Sequence, residues 1–412
     1  MIKAITVVGG SYGEECSFPS RRVFRGSGGR AAAVLSSLGA KVTFATAIGS
    51  DLEPEFARMA KSIGYKLDAR PRDSDIWFRY RYPQGQPTMY PATPPQITPD
   101  PFVETDLAVV FGMVEGRIPV KAKRAVYDPQ DGSQAKQFAD NGSTAKELGM
   151  VLSYSEGKAL TRKDNPTDMA RMLLSDPTVS VVIVKCGPRG ALVQTRSKKG
   201  WIRPFPTALV YKIGSGDVFT AAFSFAWLIE EREPISAAWF ASRLVAAYVE
   251  SAQDRFEPAD VADFRAEART AQRRFGAARA RRIPKKKIYL AGPFFHTSQQ
   301  WLIEEVREVL TDSGFSVFSP VHDVGLGDPE EVVPPDLEAL DKCGLVLALL
   351  DGVDGGTMFE VGYARAKKIP VVAVAESVDA IPLTMALGSG CYVTNDLTTG
   401  IHAAVWRLMG DV

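Results

Sequence analysis

The sequence has little cysteine and histidine, no excess of charge and no long apolar run. Its cysteines, Cys16, Cys186, Cys343 and Cys391, form no C-x-x-C pair, and its 3 histidines have no metal-ligand spacing. A disulfide framework or a zinc site is therefore not expected, and no metal-binding residues are predicted. With Lys+Arg 49 against Asp+Glu 48, the net charge of +1 favours neither nucleic acid nor an anionic membrane.

No apolar stretch approaches the length of about 18 residues that a membrane span requires. The N-terminal apolar run is too short for a signal peptide and is soon followed by two acids, so we expect a cytoplasmic protein. A length of 412 residues suggests two or three domains, and 45% apolar with 24% charged residues is typical of globular proteins.

Short β-rich runs alternate with helical stretches along the N-terminal two thirds of the chain, which predicts a parallel α/β sheet. The runs are 2–8, 42–47, 107–111, 125–127, 151–153, 179–184 and 191–194. An aromatic, arginine-rich segment, 76–90, has a Pro-Gln-Gly turn in its middle and predicts a two-stranded ribbon. Because such a ribbon rarely stands alone, we expect it to cover another part of the molecule.

A basic stretch, 265–287, separates this region from a second α/β pattern. It has no aromatic ladder for nucleic-acid bases, so a solvated helix running into a linker is favoured over a nucleic-acid patch. The alternation restarts at 287–291 and continues through runs at 316–318, 345–350 and 371–374. We therefore predict a first domain over 1–275, a linker over 276–286 and a small doubly wound domain over 287–412.

The motif Ile213-Gly-Ser-Gly-Asp-Val-Phe219 follows an expected extended run, 207–211, and precedes an apolar helical run, 218–229. A strand that feeds a helix through glycines turns the backbone N–H groups of Gly214, Ser215 and Gly216 toward one point, where the helix dipole favours an anion. Asp217 then lies in the first helical turn, where it could take a proton from an attacking hydroxyl. The alternative is an ordinary loop that ends in an Asp N-cap.

Residues 1 to about 271 resemble the ribokinase-like (PfkB) kinases through several motifs in the order of that family. These are GSGGRAAAVLSSLGA at 26–40, IGSD at 48–51, the ribbon at 76–90, YDP at 127–129, KCGPRGA at 185–191 and the GSGD that ends at Asp217. The resemblance implies a ribokinase-like doubly wound sheet with a small β-ribbon lid. It also implies phosphoryl transfer from ATP with Mg²⁺ to a sugar or nucleoside hydroxyl.

The same resemblance assigns roles to individual residues. Asp217 would be the catalytic base, and Gly214, Ser215 and Gly216 would form the anion hole. The substrate would contact Gly28, Gly29 and Arg30, and the nucleotide would lie by Lys185, Gly187, Gly190 and Glu156. The sequence departs from the family pattern in having Arg30 where the family usually has Asn, Ser153-Tyr-Ser-Glu156 for its Asn-x-x-Glu, and Tyr211-Lys212 for its Asp-Thr.

The C-terminal third resembles the nucleoside 2-deoxyribosyltransferases and the related monophosphate N-glycosidases. The matching segments are IYLAGP at 288–293, DLEAL at 336–340 and DGGTMFEVGYA at 354–364. The resemblance implies a flavodoxin/Rossmann-like domain in which Glu360 attacks the anomeric carbon and forms a covalent glycosyl-enzyme. It makes Tyr289 the residue that orients Glu360, Asp336 the group that handles the base, Asp354 a sugar contact, and Gly292 and Pro293 part of the substrate site.

On spacing alone, Glu360 could equally be a surface acid near a helix start, where acids are common. Asp354 stands where the monophosphate glycosidases carry Ser, and its charge would repel a 5′-phosphate, which favours free nucleosides. The residues leave open whether a second base or water completes the reaction.

We therefore predict a bifunctional enzyme of nucleoside or sugar metabolism, with a kinase half and a deoxyribosyltransferase or N-glycosidase half. The alternative is a degenerate kinase domain that senses a nucleotide or nucleoside and regulates the C-terminal enzyme. The expected partners are a sugar or nucleoside substrate and, by resemblance to both families, a second copy of the chain in a homodimer. No specific nucleic acid or membrane partner is expected.

Overall fold

A computed structural model describes residues 3–97, 102–276, 281–379 and 381–412. Contacts divide the chain into unit 1, formed by Met1–Phe205 and Tyr211–Ala280, and unit 2, formed by Pro206–Val210 and Arg281–Val412. Residues 277–280 of the linker that the sequence predicts lie outside the described residues. The basic stretch before them belongs to a helix that ends at Phe275.

Unit 1 contains a central sheet whose inner strands, such as Ala4–Val8 and Val179–Lys185, are mostly buried and apolar, together with the helices that cover it. Its strands are β1 Ala4–Val8, β2 Gly13–Cys16, β3 Arg21–Phe24, β4 Lys41–Ile48, β5 Lys66–Pro71, β6 Trp77–Tyr80, β7 Thr88–Tyr90, β8 Val103–Phe111, β9 Val120–Asp128, β10 Thr144–Ser153, β11 Val179–Lys185, β12 Ala191–Thr195 and β13 Lys199–Ile202. Its helices are α1 Gly26–Ser37, α2 Glu53–Ile63, α3 Tyr154–Thr161, α4 Pro166–Leu173, α5 Ser215–Ser224, α6 Pro234–Ser251 and α7 Pro258–Phe275.

The main sheet of unit 1 has nine strands in the order β13-β12-β11-β10-β9-β8-β1-β4-β5. All neighbours from β11 to β5 are parallel, and β12 and β13 add an antiparallel edge. From β1 the chain adds β4 and β5 on one side. It then adds β8 on the other side of β1 and continues in that direction to β13, which is the doubly wound arrangement. In such sheets ligands bind at the carboxyl ends of the strands, near the point where the order reverses.

The β-ribbon lid is larger than the sequence predicts. The antiparallel pair β6 and β7 is the ribbon of segment 76–90, and β2 and β3 extend it to four strands in the order β3-β2-β6-β7. The ring of Trp77 packs against Gly13, where an added Cβ would lie 2.3 Å from it. This close packing supplies the support that a two-stranded ribbon lacks by itself.

The chain around the Gly-Ser-Gly-Asp motif differs from the prediction on its N-terminal side. Residues 207–211 form no strand in the described structure, so the prediction of a strand directly before the motif was wrong. Pro204 and Pro206 precede it, and proline cannot donate to a strand ladder. On the C-terminal side the predicted helix forms as α5 and continues into a π-helical turn, Phe225–Ile229.

Unit 2 is a smaller α/β unit with a five-stranded parallel sheet. Its strands are β14 Ile288–Ala291, β15 Val317–Phe318, β16 Leu345–Leu349, β17 Val371–Val374 and β18 Tyr392–Thr394. Its helices are α8 Thr297–Asp312, α9 Pro320–Asp323, α10 Pro329–Lys342, α11 Gly355–Ala366, α12 Thr384–Gly388 and α13 Leu397–Met409. The sheet order β15-β14-β16-β17-β18 is all parallel and is the flavodoxin-like order, with its switch point between β14 and β16.

The structure confirms the fold class that the sequence predicts for both units. Within the described residues, no helix is both long and apolar enough to cross a bilayer.

Candidate active sites

The Gly-Ser-Gly turn of unit 1 begins α5 with a glycine in the left-handed region. Gly214 has φ 78°, and the amide of Ser215 donates to the carbonyl oxygen of Lys212 at 3.0 Å. That amide is therefore used within the turn. An added Cβ on Gly216 would lie 3.3 Å from Nζ of Lys185, so an ammonium group stands at the mouth of the turn. The helix N-terminus and this lysine together favour an anion.

Asp217 is buried, with 8% of its surface exposed, and is held by a buried arginine. Nη1 of Arg30 donates to Oδ2 of Asp217 at 2.7 Å, and Nη2 of Arg30 donates to Glu14. Nε2 of Gln130 lies 3.4 Å from the other carboxylate oxygen of Asp217. The structure thus brings Arg30 and Asp217 together, and gives Arg30 two carboxylate partners.

Burial raises the pKa of Asp217 to about 6, against the opposing effect of the Arg30 guanidinium, and the nearby carboxylates of Asp128 and Glu14 add to the rise. A carboxylate whose pKa lies close to neutral is a stronger base than an exposed aspartate and is still ionised at pH 7. The site therefore contains a group able to accept a proton, provided that Arg30 leaves one of its oxygens accessible.

The cofactor residues predicted from the sequence lie at the carboxyl edge of the sheet. Lys185 ends β11 and donates to Oδ2 of Asp128, which ends β9, at 2.6 Å. Thr220 of α5 donates to the same oxygen at 2.7 Å. Glu156 forms a capping box with Ser153, and burial, followed by the charge of Asp128, raises the pKa of Glu156 to about 7. Lys185 and the two buried carboxylates of Asp128 and Glu156 therefore form a cluster of strongly coupled charges.

Three of the four glycines predicted to contact substrate or nucleotide are closely packed in this structure. An added Cβ on Gly28 would lie 2.4 Å from the ring of Phe44, and one on Gly29 would lie 2.9 Å from the ring of Phe56. Gly190 has φ 97°, and an added Cβ there would meet the carbonyl oxygen of Ile202 at 2.0 Å. By contrast, a Cβ on Gly187 would meet nothing within 4 Å. Ligand contact by these four glycines stays a prediction.

The candidate site of unit 2 lies where β14 meets α11. The hydroxyl of Tyr289, from the buried strand β14, donates to Oε1 of Glu360 on α11 at 2.5 Å. Burial raises the pKa of Glu360 to about 7, the Tyr289 hydrogen bond lowers it, and the charges of Asp336 and Asp354 raise it further. The structure therefore brings together the four side chains, Tyr289, Asp336, Asp354 and Glu360, to which the resemblance gives roles in this site.

Asp336 and Asp354 differ in how they are held. Oδ1 of Asp336 is buried and has no hydrogen-bond partner among the described residues, and burial raises the pKa of this group to about 6. Asp354 is the N-cap of α11, and its Oδ2 accepts from the backbone N–H of Thr357 at 2.8 Å and from the Thr357 hydroxyl at 2.9 Å. A buried carboxylate oxygen without a partner is available to a ligand, whereas a capping acid already stabilises its helix.

Gly292 and Pro293 directly follow β14, at the carboxyl end of the sheet. An added Cβ on Gly292 would lie 3.0 Å from Cδ1 of Ile303 and 3.1 Å from Cβ of Leu349, so this glycine allows α8 to approach the sheet. A substrate contact at these two positions stays a prediction.

Sequence analysis gave no role to three residues of the unit 1 site: Asp128, Gln130 and Thr220. Asp128 belongs to the YDP motif at 127–129. Its position at the end of a buried strand could have predicted a place in the site, because the carboxyl ends of parallel strands lie at one edge of the sheet. Nothing in the sequence pairs Glu14 with Arg30.

Both units match family models. Residues 149–260 match the pfkB family carbohydrate kinase model, and residues 288–398 match the nucleoside 2-deoxyribosyltransferase model. The two resemblances stated from the sequence are thereby confirmed: the chain joins a PfkB/ribokinase-like unit to a nucleoside 2-deoxyribosyltransferase-like unit. A search of curated proteins gave no match.

Solved structures similar to this chain are kinases of the ribokinase fold. Phosphofructokinase-2 from Escherichia coli in complex with fructose-6-phosphate matches at 14% identity and a TM-score of 0.50, over 65% of this chain and 100% of that chain. Ribokinase from Thermotoga maritima matches at 18% identity and a TM-score of 0.49, over 64% and 99%. Nucleoside kinase from Methanocaldococcus jannaschii matches at 14% identity and a TM-score of 0.49, over 65% and 99%. At these identities the comparison shows the fold alone.

Proposed function

We propose that the chain is a bifunctional enzyme: unit 2 cleaves or transfers a nucleoside N-glycosidic bond, and unit 1 transfers a phosphoryl group from ATP to an alcohol. The observation that carries the first activity is the 2.5 Å hydrogen bond from Tyr289 to Glu360. It fixes one carboxylate oxygen and leaves the other to face the anomeric carbon of a bound nucleoside. Attack by this oxygen displaces the base and forms a glycosyl ester on Glu360.

The leaving base needs a proton, and Asp336 is suited to supply it. Because its pKa is raised, a larger fraction of Asp336 carries a proton near neutral pH than of an exposed aspartate, and its unpartnered oxygen is available to give that proton to the base. Water or a second base then attacks the ester and releases Glu360. This division of labour follows the retaining glycosidases, in which one carboxyl group is the nucleophile and the other the acid.

The test of the unit 2 activity is release of free base from a panel of nucleosides and 2′-deoxynucleosides. We expect Glu360→Gln to abolish release, and Glu305→Gln on α8 to leave it unchanged. Rapid quenching with mass spectrometry should detect a pentose adduct on the peptide that contains Glu360. Base release that persists in Glu360→Gln would refute the nucleophile assignment.

For unit 1, the observation that supports phosphoryl transfer is the placement of Asp217 beside the Gly-Ser-Gly turn and Lys185. ATP would supply the phosphoryl group, with Mg²⁺ neutralising its charge. The residues present fit both: Lys185 and the N-terminus of α5 suit a phosphate. Asp128 and Glu156 are a pair of carboxylates of the kind from which Mg²⁺ takes one or two protein ligands. Asp217 would take the proton of the acceptor hydroxyl, and the turn would hold the transferred charge.

A second candidate for unit 1 is a nucleotide or nucleoside sensor that regulates unit 2. The ion pair between Arg30 and Asp217 favours it, since a base held by a buried cation is less available for proton transfer. ATP consumption against pentoses, hexoses, their phosphates and nucleosides separates the two functions. Turnover that is lost in Asp217→Asn supports the kinase; binding of ATP with no turnover, and a change in unit 2 activity on binding, supports the sensor.

A further inference from the structure

A cavity lined by arginines adjoins the Asp217 site within unit 1. Its volume is about 200 Å³, and its walls include four arginines, two tyrosines and one acid. The lining side chains used below are Arg21, Arg25, Arg30, Arg255, Tyr211 and Asp254. Arg30 belongs to both sites, because it lines this arginine pocket and also donates to Asp217.

The charges in the arginine pocket are not balanced. Asp254, the one acid in the lining, pairs with Arg25, whose Nη2 lies 3.1 Å from Oδ1 of Asp254. In the described parts of the chain, no carboxylate lies within ion-pair distance of Arg21 or Arg255. Two of the arginines that line this small concave space therefore have no carboxylate partner within ion-pair distance in the part of the chain that the structure describes, which favours an anion there.

The contacts that Arg21 and Arg255 make within the protein leave some of their N–H donors unused. Arg21 donates one hydrogen bond to the carbonyl oxygen of Ala252, and its guanidinium lies 4.9 Å from the centre of the Tyr211 ring. Arg255 donates one to the carbonyl oxygen of Ser62 at 3.0 Å. A guanidinium has five N–H donors in a planar fork, so both residues retain donors in the geometry that binds a phosphate with two parallel bonds.

Arg30 offers a further, independent sign of a ligand. Its side chain is 3% exposed, and its Nε is buried without a hydrogen-bond partner among the described residues. A buried donor without a partner is costly, and it usually marks a place where a ligand or water binds. Since Arg30 lines the cavity, an acceptor atom of a ligand there could satisfy the guanidinium that now binds Asp217.

We propose that the arginine pocket binds the anionic group, a phosphate, of the acceptor molecule, so that unit 1 acts on phosphate-bearing sugars or nucleosides rather than on neutral ones. This inference rests on the kinase function proposed above. The anion competes with Asp217 for the Arg30 guanidinium, which frees the carboxylate to accept the proton of the acceptor hydroxyl. A neutral acceptor leaves the ion pair in place and the base blocked.

The test is a binding titration by calorimetry with matched pairs: ribose and ribose 5-phosphate, fructose and fructose 6-phosphate, adenosine and adenosine 5′-monophosphate. The full chain is compared with Arg21→Gln, Arg21→Lys and Arg22→Gln. Arg22 is the exposed neighbour on the same strand and lies outside the arginine pocket, so it is the matched control. Glu360→Gln is present throughout, so that nucleosides stay intact.

For at least one pair, we expect the phosphorylated member to bind at least ten-fold more tightly than the neutral one. Arg21→Gln should weaken it by roughly ten- to hundred-fold, the loss of a hydrogen bond to a charged group. Arg21→Lys should restore part of the affinity, and Arg22→Gln should change nothing. Equal affinity for both members of every pair, or a preference that survives Arg21→Gln, overturns the proposal.

ATP consumption measured in parallel keeps this inference distinct from the kinase function. Turnover of a neutral acceptor that Arg21→Gln leaves unchanged refutes the anion site and supports the kinase. Binding of phosphorylated compounds that depends on Arg21, with no ATP turnover for any compound, retains the anion site and refutes the kinase.

Discussion

Replacing Tyr289 with phenylalanine removes one hydroxyl group from the unit 2 site and keeps the rest of the side chain. The ring of Tyr289 stacks on Phe318 with centroids 5.3 Å apart, and phenylalanine preserves that contact. The hydroxyl donates to Glu360 at 2.5 Å and stabilises its ionised form. The substitution therefore tests one interaction, the hydrogen bond that holds the nucleophile.

The size of the effect follows from the charge on Glu360. A hydrogen bond to a charged group contributes about 1.5 to 3 kcal/mol, and 1.36 kcal/mol corresponds to one pKa unit. Burial already raises the pKa of Glu360 to about 7, and Tyr289 opposes that rise. The lost bond should raise the pKa of Glu360 by about 1 to 2. Glu360 would then be mostly protonated at pH 7, and base release should fall roughly ten-fold or more.

The assay is the initial rate of base release from one accepted nucleoside, measured from pH 5 to pH 9.5. The rate should rise with pH at the acid end, as Glu360 loses its proton and can attack as a carboxylate, and should fall at the alkaline end, as Asp336 loses the proton that it gives to the base. Tyr363→Phe is the control, since the Tyr363 hydroxyl donates at 3.1 Å to Asp341 on the surface of the same unit. A profile of Tyr289→Phe that coincides with that of wild type would refute the reasoning.

The remaining predictions concern three other residues. Asp217→Asn should abolish ATP consumption with every acceptor, because an amide cannot take a proton, while base release stays at the wild-type rate. Gly214→Ala should destabilise unit 1 in a denaturant titration by about 1 to 2 kcal/mol, because φ is 78° and the new Cβ would lie 2.2 Å from Arg30. Asp354→Ala should lower the free energy of unfolding by about 1 kcal/mol, because the N-cap of α11 is lost. Asp354→Asn should keep the wild-type stability, because Asn caps a helix about as well as Asp.

Each of these predictions has a distinct contradicting result. ATP consumption that persists in Asp217→Asn excludes this residue as the base. Wild-type stability of Gly214→Ala would mean that the turn adopts another conformation. A loss of stability in Asp354→Asn as large as that in Asp354→Ala would contradict the capping role of Asp354.

Most of the fold, and the residues of the unit 2 site, could be predicted from the sequence. Apolar runs that alternate with helical stretches predict buried parallel strands. The carboxyl ends of these strands lie at one edge of the sheet, so residues that follow the strands lie close together there whatever the length of the loops. Tyr289 and Glu360 could be paired because both lie in segments that resemble one family. The four-stranded lid was not foreseen, since β2 and β3 are short and only tertiary pairing with β6 makes them a sheet.

The ion pair in unit 1 could not be read from the sequence for a physical reason. Arg30 and Asp217 are 187 positions apart, and they meet because α1 and α5 pack against each other. The sequence identified Arg30 only as a departure from the family pattern. Likewise, Asp354 looked like a sugar contact, and its capping bonds to Thr357 depend on where α11 begins.

The charge cluster of unit 1 explains how a buried base could be both stable and controllable. Asp217 and Asp128 are buried carboxylates, and each is held by one cation, Arg30 or Lys185. An unpaired buried charge is strongly unfavourable, so neither cation can leave unless another partner replaces the one it loses. Lys185 stands at the Gly-Ser-Gly turn, where a phosphate would bind, and Arg30 lines the arginine pocket. An acceptor phosphate in the arginine pocket would draw Arg30 from Asp217 and free the base, whereas a donor phosphate at the turn would draw Lys185 from Asp128; availability of the base would therefore depend on the acceptor.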